Sequence, residues 1–216
     1  MQRAAIFLLL CGGPTWAQGN VCVAGRVQPL PGPTICMQGE THEIEGAGVW
    51  LKSGVVDLNL YNGQIVEVAG PDVNAFPTCP PLIDVTQVQS PAPSILEWCG
   101  SGSTCCPIKF KVCPGGLGAW WLFLSTSPGY VPLGCGFPID GTLLLGPSLF
   151  QIGSGFIGAS CGEVTLQIPC VNSLVGAQVW VQGARQDIGP VGPVHLTNPV
   201  SLTISPFLPP CAPTNC

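Results

Sequence analysis

The sequence predicts an all-β protein in two parts, stapled by disulfides. Glycine and proline supply 29 and 24 of the 216 residues, and at that density long helices are interrupted before they propagate. The chain is 46% hydrophobic and only 8% charged, too apolar and too weakly charged for a disordered polymer. Thirteen cysteines complete the pattern. Many short strands joined by turns and cross-linked by sulfur satisfy all three observations.

The first residues read as a Sec-type export signal. Arg3 gives a positive start, residues 4–13 an apolar run, and Thr15-Trp16-Ala17 a small-x-small site with cleavage expected after Ala17. A lipid anchor at Cys11 is the rival, but Leu10 before it is large. The apolar run is about ten residues, well short of the ~20 that cross a bilayer, so no membrane span is expected. Cleavage removes Cys11 and leaves Cys22, Cys36, Cys79, Cys99, Cys105, Cys106, Cys113, Cys135, Cys161, Cys170, Cys211 and Cys216. An even count outside the cytoplasm predicts disulfides in a secreted or cell-surface protein. There is no C-x2-C pair, and the two histidines, His42 and His195, lie far apart, so zinc spacing is absent. No metal and no cofactor is expected. The net charge is −5 and no basic stripe exists to neutralise phosphates, which excludes nucleic acid as a partner.

Strand patterns follow in order. Residues 21–27 alternate and 29–33 turn the chain. Residues 43–52 read as one alternating strand, 55–61 as a short helical turn, and 64–70 and 82–88 as further strands. Ser90-Pro91-Ala92-Pro93 is the linker signal. The expected boundaries are 18–89, a linker over 90–97, a second part over 98–205 and a Pro-rich, cysteine-containing tail over 206–216. In the second part, strands are expected over 95–99, 108–113, 119–125, 141–145, 163–168, 177–184 and 199–204.

Two stretches carry a resemblance. Residues 22–89 contain Thr41-His42, Trp50-Leu51-Lys52-Ser53, Val56-Asp57-Leu58, the run from Tyr61 to Gly70, and Ile83-Asp84-Val85-Thr86. This pattern resembles the small OB-like barrels of exported bacterial proteins. Residues 141–204 contain Ser148-Leu149-Phe150-Gln151, then Ile168-Pro169 followed by Leu174, Gly176 and Gln182, then Thr197-Asn198-Pro199-Val200. That pattern resembles a C-terminal β-sandwich domain of secreted proteins from environmental bacteria. The resemblance implies a small OB-like barrel followed by a disulfide-stapled β-sandwich, and brings no catalytic residues with it.

The residues offer few chemistries. Gly153 to Gly158 match G-x-G-x-x-G without the following helix a dinucleotide site needs, and read as a hairpin turn. Gly158 to Gly162 match G-x-S-x-G; with Asp187 and His195 downstream, Ser160 could head a serine hydrolase, but no strand-turn-helix surrounds it. Glu40, Glu43 and Glu45 flank His42, which an extended chain points the other way from Glu43 and Glu45; they lack the oxygen density of a calcium loop. Trp120 and Trp121 are adjacent, so in a strand one faces in and one out, and the outward one is the first choice for a ligand-binding face. Cys36–Cys79 is the expected barrel bridge. Cys99 is expected with Cys105 or Cys106, and Cys135 with Cys170. Cys161 and Cys170 bracket a strand too long for them to pair. The first part has three cysteines and the second nine, so either one bridge crosses the boundary or each part keeps a free thiol. The expected function is a non-catalytic binding or structural protein whose partner is an extracellular protein or glycan. The alternatives are a glycan-binding module, a hydrolase inhibitor presenting residues 128–138, and the hydrolase.

Overall fold

The computed structural model describes residues 19–113, 117–135, 139–158, 160–188, 192–207 and 209–211. The expected export signal lies outside them, as does Cys216. Among the described residues the protein is all-β, with no helix of seven or more residues, and no helix long and apolar enough to cross a membrane. The first half contains β1 (Asn20–Pro29), β2 (His42–Ile44), β3 (Val49–Lys52), a 3-10 turn (Leu58–Tyr61), β4 (Ile65–Pro71), β5 (Leu82–Asp84) and β6 (Gln87–Gln89). The second contains β7 (Ile95–Gly100), β8 (Pro107–Cys113), β9 (Gly118–Ser125), β10 (Pro128–Gly134), β11 (Ile139–Leu145), β12 (Phe150–Ile157), β13 (Gly162–Gln167), a 3-10 turn (Asn172–Leu174), β14 (Gln178–Asp187), β15 (Val194–Leu196) and β16 (Val200–Thr203).

In the first half the strand order is β5-β3-β2-β1-β4-β6. All pairings are antiparallel except β3 with β5. A bridge between Asp72 and Ile83 then brings β5 against the end of β4, so the sheet curls back on itself. The curl needs close backbone approach. A Cβ on Gly70 would stand 2.0 Å from the Asp84 carbonyl oxygen, and one on Gly25 would stand 2.1 Å from the Ile44 side chain; glycine is the residue such contacts admit. Val23, Val27, Ile44, Val49, Leu51, Val66, Val68 and Ile83 fill the interior, each fully buried. The continuous strand expected over 43–52 is instead a hairpin, β2–β3, because Gly46 and Gly48 take positive φ in the turn between them.

The second half has a seven-stranded sheet, β10-β11-β15-β14-β9-β12 with β16 also on β14, and a three-stranded sheet, β13-β8-β7. Leu96, Ile108, Phe110 and Val112 of the small sheet share one core with Trp120, Leu122, Val181 and Leu202 of the large one. Residues 95–97, expected in the linker, begin β7. Residues 128–134, expected to protrude, form β10, an edge strand paired with β11. The supposed hairpin turn over 153–158 is mostly strand β12. Its glycines are there for Trp120: a Cβ on Gly155 or Gly153 would stand 3.0 or 3.2 Å from the indole, and one on Gly162 2.4 Å.

The two halves are not separate. Strand β1 is buried along Val21–Gly25 on both faces, one toward the interior of the curled sheet and one toward β10 and β11. The Thr142 hydroxyl donates to the Cys22 carbonyl at 2.7 Å, Leu144 joins the core of the first half, and Cys22 is bonded to Cys135. Among the described pairs, this bridge crosses the boundary. Cys36–Cys79 joins the loop after β1 to the loop after β4. The other described pairs are Cys105–Cys170, Cys106–Cys211 and Cys113–Cys161, and Cys99 is also disulfide-bonded. Two expected pairings are therefore corrected. Cys135 does not meet Cys170 because β11 and β13 belong to different sheets. Neither Cys105 nor Cys106 takes Cys99: the Cys105 amide donates to the Ile168 carbonyl at 3.1 Å, which sets Cys105 beside Cys170.

Gln182, Thr197 and Asn198, three residues of the quoted pattern, act as buried clamps. The Gln182 amide donates to Thr142 and Thr197 carbonyls at 3.0 and 2.9 Å and accepts from the Leu144 amide at 2.9 Å. Thr197 Oγ1 accepts from the Gly183 amide at 2.8 Å. Replacing Gln182 with Leu leaves three backbone groups unpaired in a dry core. The expected loss of stability is roughly 3 kcal/mol, read as a lower urea midpoint with an unchanged slope.

Candidate functional site

A cleft of about 480 Å³ opens where the halves meet. Arg26 of β1, Glu45 of the β2–β3 turn and Ile65 of β4 form one wall; Glu97 and Trp98 of β7 and Ser201 of β16 form the other. The turn fits because Gly46 has no side chain: a Cβ there would stand 3.2 Å from Ser201 Oγ. Trp98 is held by its strand. It pairs in register with Phe110 of β8, while two residues earlier the Asn198 amide accepts from the Leu96 N–H at 2.8 Å and donates to the Leu96 carbonyl at 3.0 Å. Trp98 is 38% exposed. Arg26 and Glu45 form an ion pair of 3.2 Å between side chains about half exposed, a pair that adds little stability, and the Arg26 guanidinium also donates to the Gly63 carbonyl.

The tryptophans singled out by sequence divide as alternation requires, but neither is the exposed one. Trp120 is buried under the β12 glycines, and Trp121 is half-buried on the sheet face, opposite Ala184 and Ser154. Sequence reasoning missed Trp98. Its signal was position: it follows Ile95-Leu96-Glu97 near the start of the second half, on what becomes the edge of the small sheet.

Apart from the cleft's lining, titratable groups of both halves gather at the junction. His195 Nδ1 is 3.1 Å from Asp140 Oδ2, and its Nε2 is 3.4 Å from Asp187 Oδ2. The hydrogen bond to Asp140 holds the His195 pKa above its ordinary value, against the opposing effect of burial. Asp187 also pairs with Arg185, whose Nη1 donates to the Pro93 carbonyl at 3.4 Å. So Asp187 and His195 do meet, as the hydrolase reading requires. Ser160 does not join them: it makes no hydrogen bond among the described residues, and both His195 nitrogens face carboxylates. Glu67 of β4 completes the group. Burial, then the nearby Asp140 charge, raises its pKa to about 7, although His195 pulls it down.

Glu67, Asp140 and Cys22 place their ligand atoms within 4.8 Å of one another. The sulfur is already bonded to Cys135, so this set offers a cation two carboxylates and no thiolate. Glu40, Glu43 and Glu45 do not converge with His42: His42 is buried while Glu45 is exposed, and Glu40 Oε2 accepts from the Gln38 amide at 2.7 Å. No protein-family model, curated protein or solved structure matches the chain.

Glu67 makes stability depend on pH. Unfolded, it loses its proton near 4.5; folded, it keeps the proton to about 7. The native state therefore binds the extra proton, and stability falls as pH rises through that window and levels off above it. The shift corresponds to about 3 kcal/mol. Glu67→Gln is expected to flatten the decline in urea midpoint between pH 5 and pH 7; an unchanged slope would show that Glu67 is ionised in the native state.

Proposed function

We propose that the chain is an exported, non-catalytic binding protein in which an OB-like barrel and a β-sandwich together present a carbohydrate-binding cleft. The barrel reading is supported by the order β1-β2-β3-β5-β4 with β4 returning to β1, and by the short helical turn between β3 and β4. The sandwich reading is supported by two sheets whose apolar residues share one core. The five described disulfide pairs, with Cys99 bonded as well, favour an oxidising compartment, in keeping with the export signal read from residues 1–17.

Trp98 carries the functional reading. An exposed indole offers a flat apolar face to the C–H face of a sugar ring, while Arg26, Glu45 and Glu97 supply donors and acceptors for hydroxyls. The volume falls within the range of small-ligand sites, and a junction between structural units is a common place for one. Catalysis is disfavoured because a nucleophile needs an adjacent base, and the one histidine set among carboxylates has both nitrogens occupied.

The test is a glycan array with the disulfide-intact mature chain, followed by calorimetry on any hit. At least one oligosaccharide is expected to bind, and Trp98→Ala is expected to weaken it by about tenfold or more with an unchanged circular dichroism spectrum. No hit on plant, fungal or bacterial glycans, or a hit indifferent to Trp98→Ala, would sink the reading.

A further inference from the structure

We propose that the cleft holds its sugar by open main chain as well as by the Trp98 indole: unsubstituted vicinal hydroxyls on the ring bond the backbone N–H and C=O groups that Trp98 and Ser201 turn toward each other across the gap. This rests on the carbohydrate reading and adds the chemical feature the ligand must carry. The cleft is an unzipped stretch between two strands. Segments 96–103 and 198–205 run side by side. At one end the Asn198 side chain holds the Leu96 N–H and carbonyl. At the other, Ser103 and Ser205 form a parallel bridge: the Ser205 N–H donates to the Gly102 carbonyl at 3.1 Å, the Thr104 N–H donates to the Ser205 carbonyl at 3.0 Å, and the two serine hydroxyls lie 2.8 Å apart. Among the described residues no pairing joins the segments between those ends, and there the cleft opens, with Trp98, Val200 and Ser201 in its lining.

Alternation fixes which groups face the gap. In an antiparallel ladder a residue's N–H and C=O point the same way, and successive residues point to opposite sides. Leu96 turns both groups away from β8, toward Asn198. Strand β7 pairs with β8 without a register shift, so Trp98 turns its own pair away from β8 as well. On the facing segment, the Ile204 N–H donates to the Ala177 carbonyl at 2.9 Å and the Ile204 carbonyl accepts from the Gly176 N–H at 2.8 Å. Leu202 and Val200 therefore bond β14, and Ser201 turns its pair to the gap. None of these four groups meets a hydrogen-bonding partner among the described residues.

The N–H and C=O of one extended residue stand close enough for a single small group to take both, as the Asn198 amide does at Leu96. Neighbouring hydroxyls of a sugar ring can do the same, one accepting from the N–H and the other donating to the C=O. A methyl ether cannot donate. A secondary acetamide points its N–H and C=O in opposite directions across a trans bond, so it cannot serve both groups of one residue. An added peptide strand needs open groups along the length of an edge, whereas this gap is closed at both ends and Leu96 is already taken. A compact polyhydroxylated ring fits the gap, with its C–H face against Trp98, which is 38% exposed.

The experiment is NMR on the isotope-labelled, disulfide-intact mature chain. The backbone N–H signals of Trp98 and Ser201 are followed during titrations with methyl glucoside, methyl galactoside and methyl mannoside, and with their fully O-methylated forms. At least one free glycoside is expected to shift both signals saturably, and its O-methylated form to bind about tenfold more weakly or worse. Ser201→Pro removes one of the four groups at a sheet edge, where proline is tolerated, and is expected to weaken binding by about tenfold; should that variant not fold, the O-methylated ligand still decides. An O-methylated glycoside that binds as tightly as the free one, and is lost in Trp98→Ala, overturns the main-chain contact while the carbohydrate reading stands. Slow hydrogen exchange at both N–H groups in the ligand-free chain, matching Thr104 and Ser205, shows the strands zipped together and overturns it too. Shifts produced by a capped valine–threonine–valine peptide and by no glycoside, or no binding of any glycoside or array glycan, overturn both.

Discussion

The Thr142 hydroxyl meets the Cys22 carbonyl within Val21–Gly25, the stretch of β1 that has no wet face, and the arrangement of both halves depends on that contact. Strand β1 supplies Val21, Val23 and Val27 to the interior of the curled six-stranded sheet and turns Cys22 and Ala24 toward β10 and β11. Alone, that sheet would expose its second face. Here the seven-stranded sheet covers it, Leu144 enters the core of the first half, and Cys22–Cys135 makes the covering covalent. The cleft beside Trp98 exists because this joint fixes the distance between the β2–β3 turn and β7.

With so few charges available, the protein satisfies its buried backbone mostly with amides and hydroxyls. Gln182, Asn198 and Thr197 each serve backbone groups that neighbouring strands leave open, without the desolvation cost of an ion pair. The charged exception is the cluster of Glu67, Asp140, Asp187, Arg185 and His195 at the joint. It couples the association of the halves to proton uptake, because Glu67 comes from β4 and the other four from β11, β14 and β15.

The class of fold was legible from glycine, proline and cysteine content, and most strands were legible from alternation. The Cys36–Cys79 bridge followed from loops flanking the same strands. What alternation could not reveal was sheet membership, and this misplaced Cys135 and Cys170: two strands may be well defined yet lie in different layers. The β12 glycines misled for a related reason. Glycine repeated at period two looks like a turn when the large neighbour that needs the space, Trp120, is more than thirty residues away. Trp98 was hidden because its exposure depends on an edge position that only the assembled sheets define.

Strand β7 ends the small sheet, and an outermost strand offers its unpaired amides to any passing chain. The Asn198 side chain imitates one peptide unit of a missing neighbour, giving Leu96 both a donor and an acceptor. One peptide unit of this margin is thereby closed to strand addition without a further strand or a lysine, two residues from the exposed indole of Trp98.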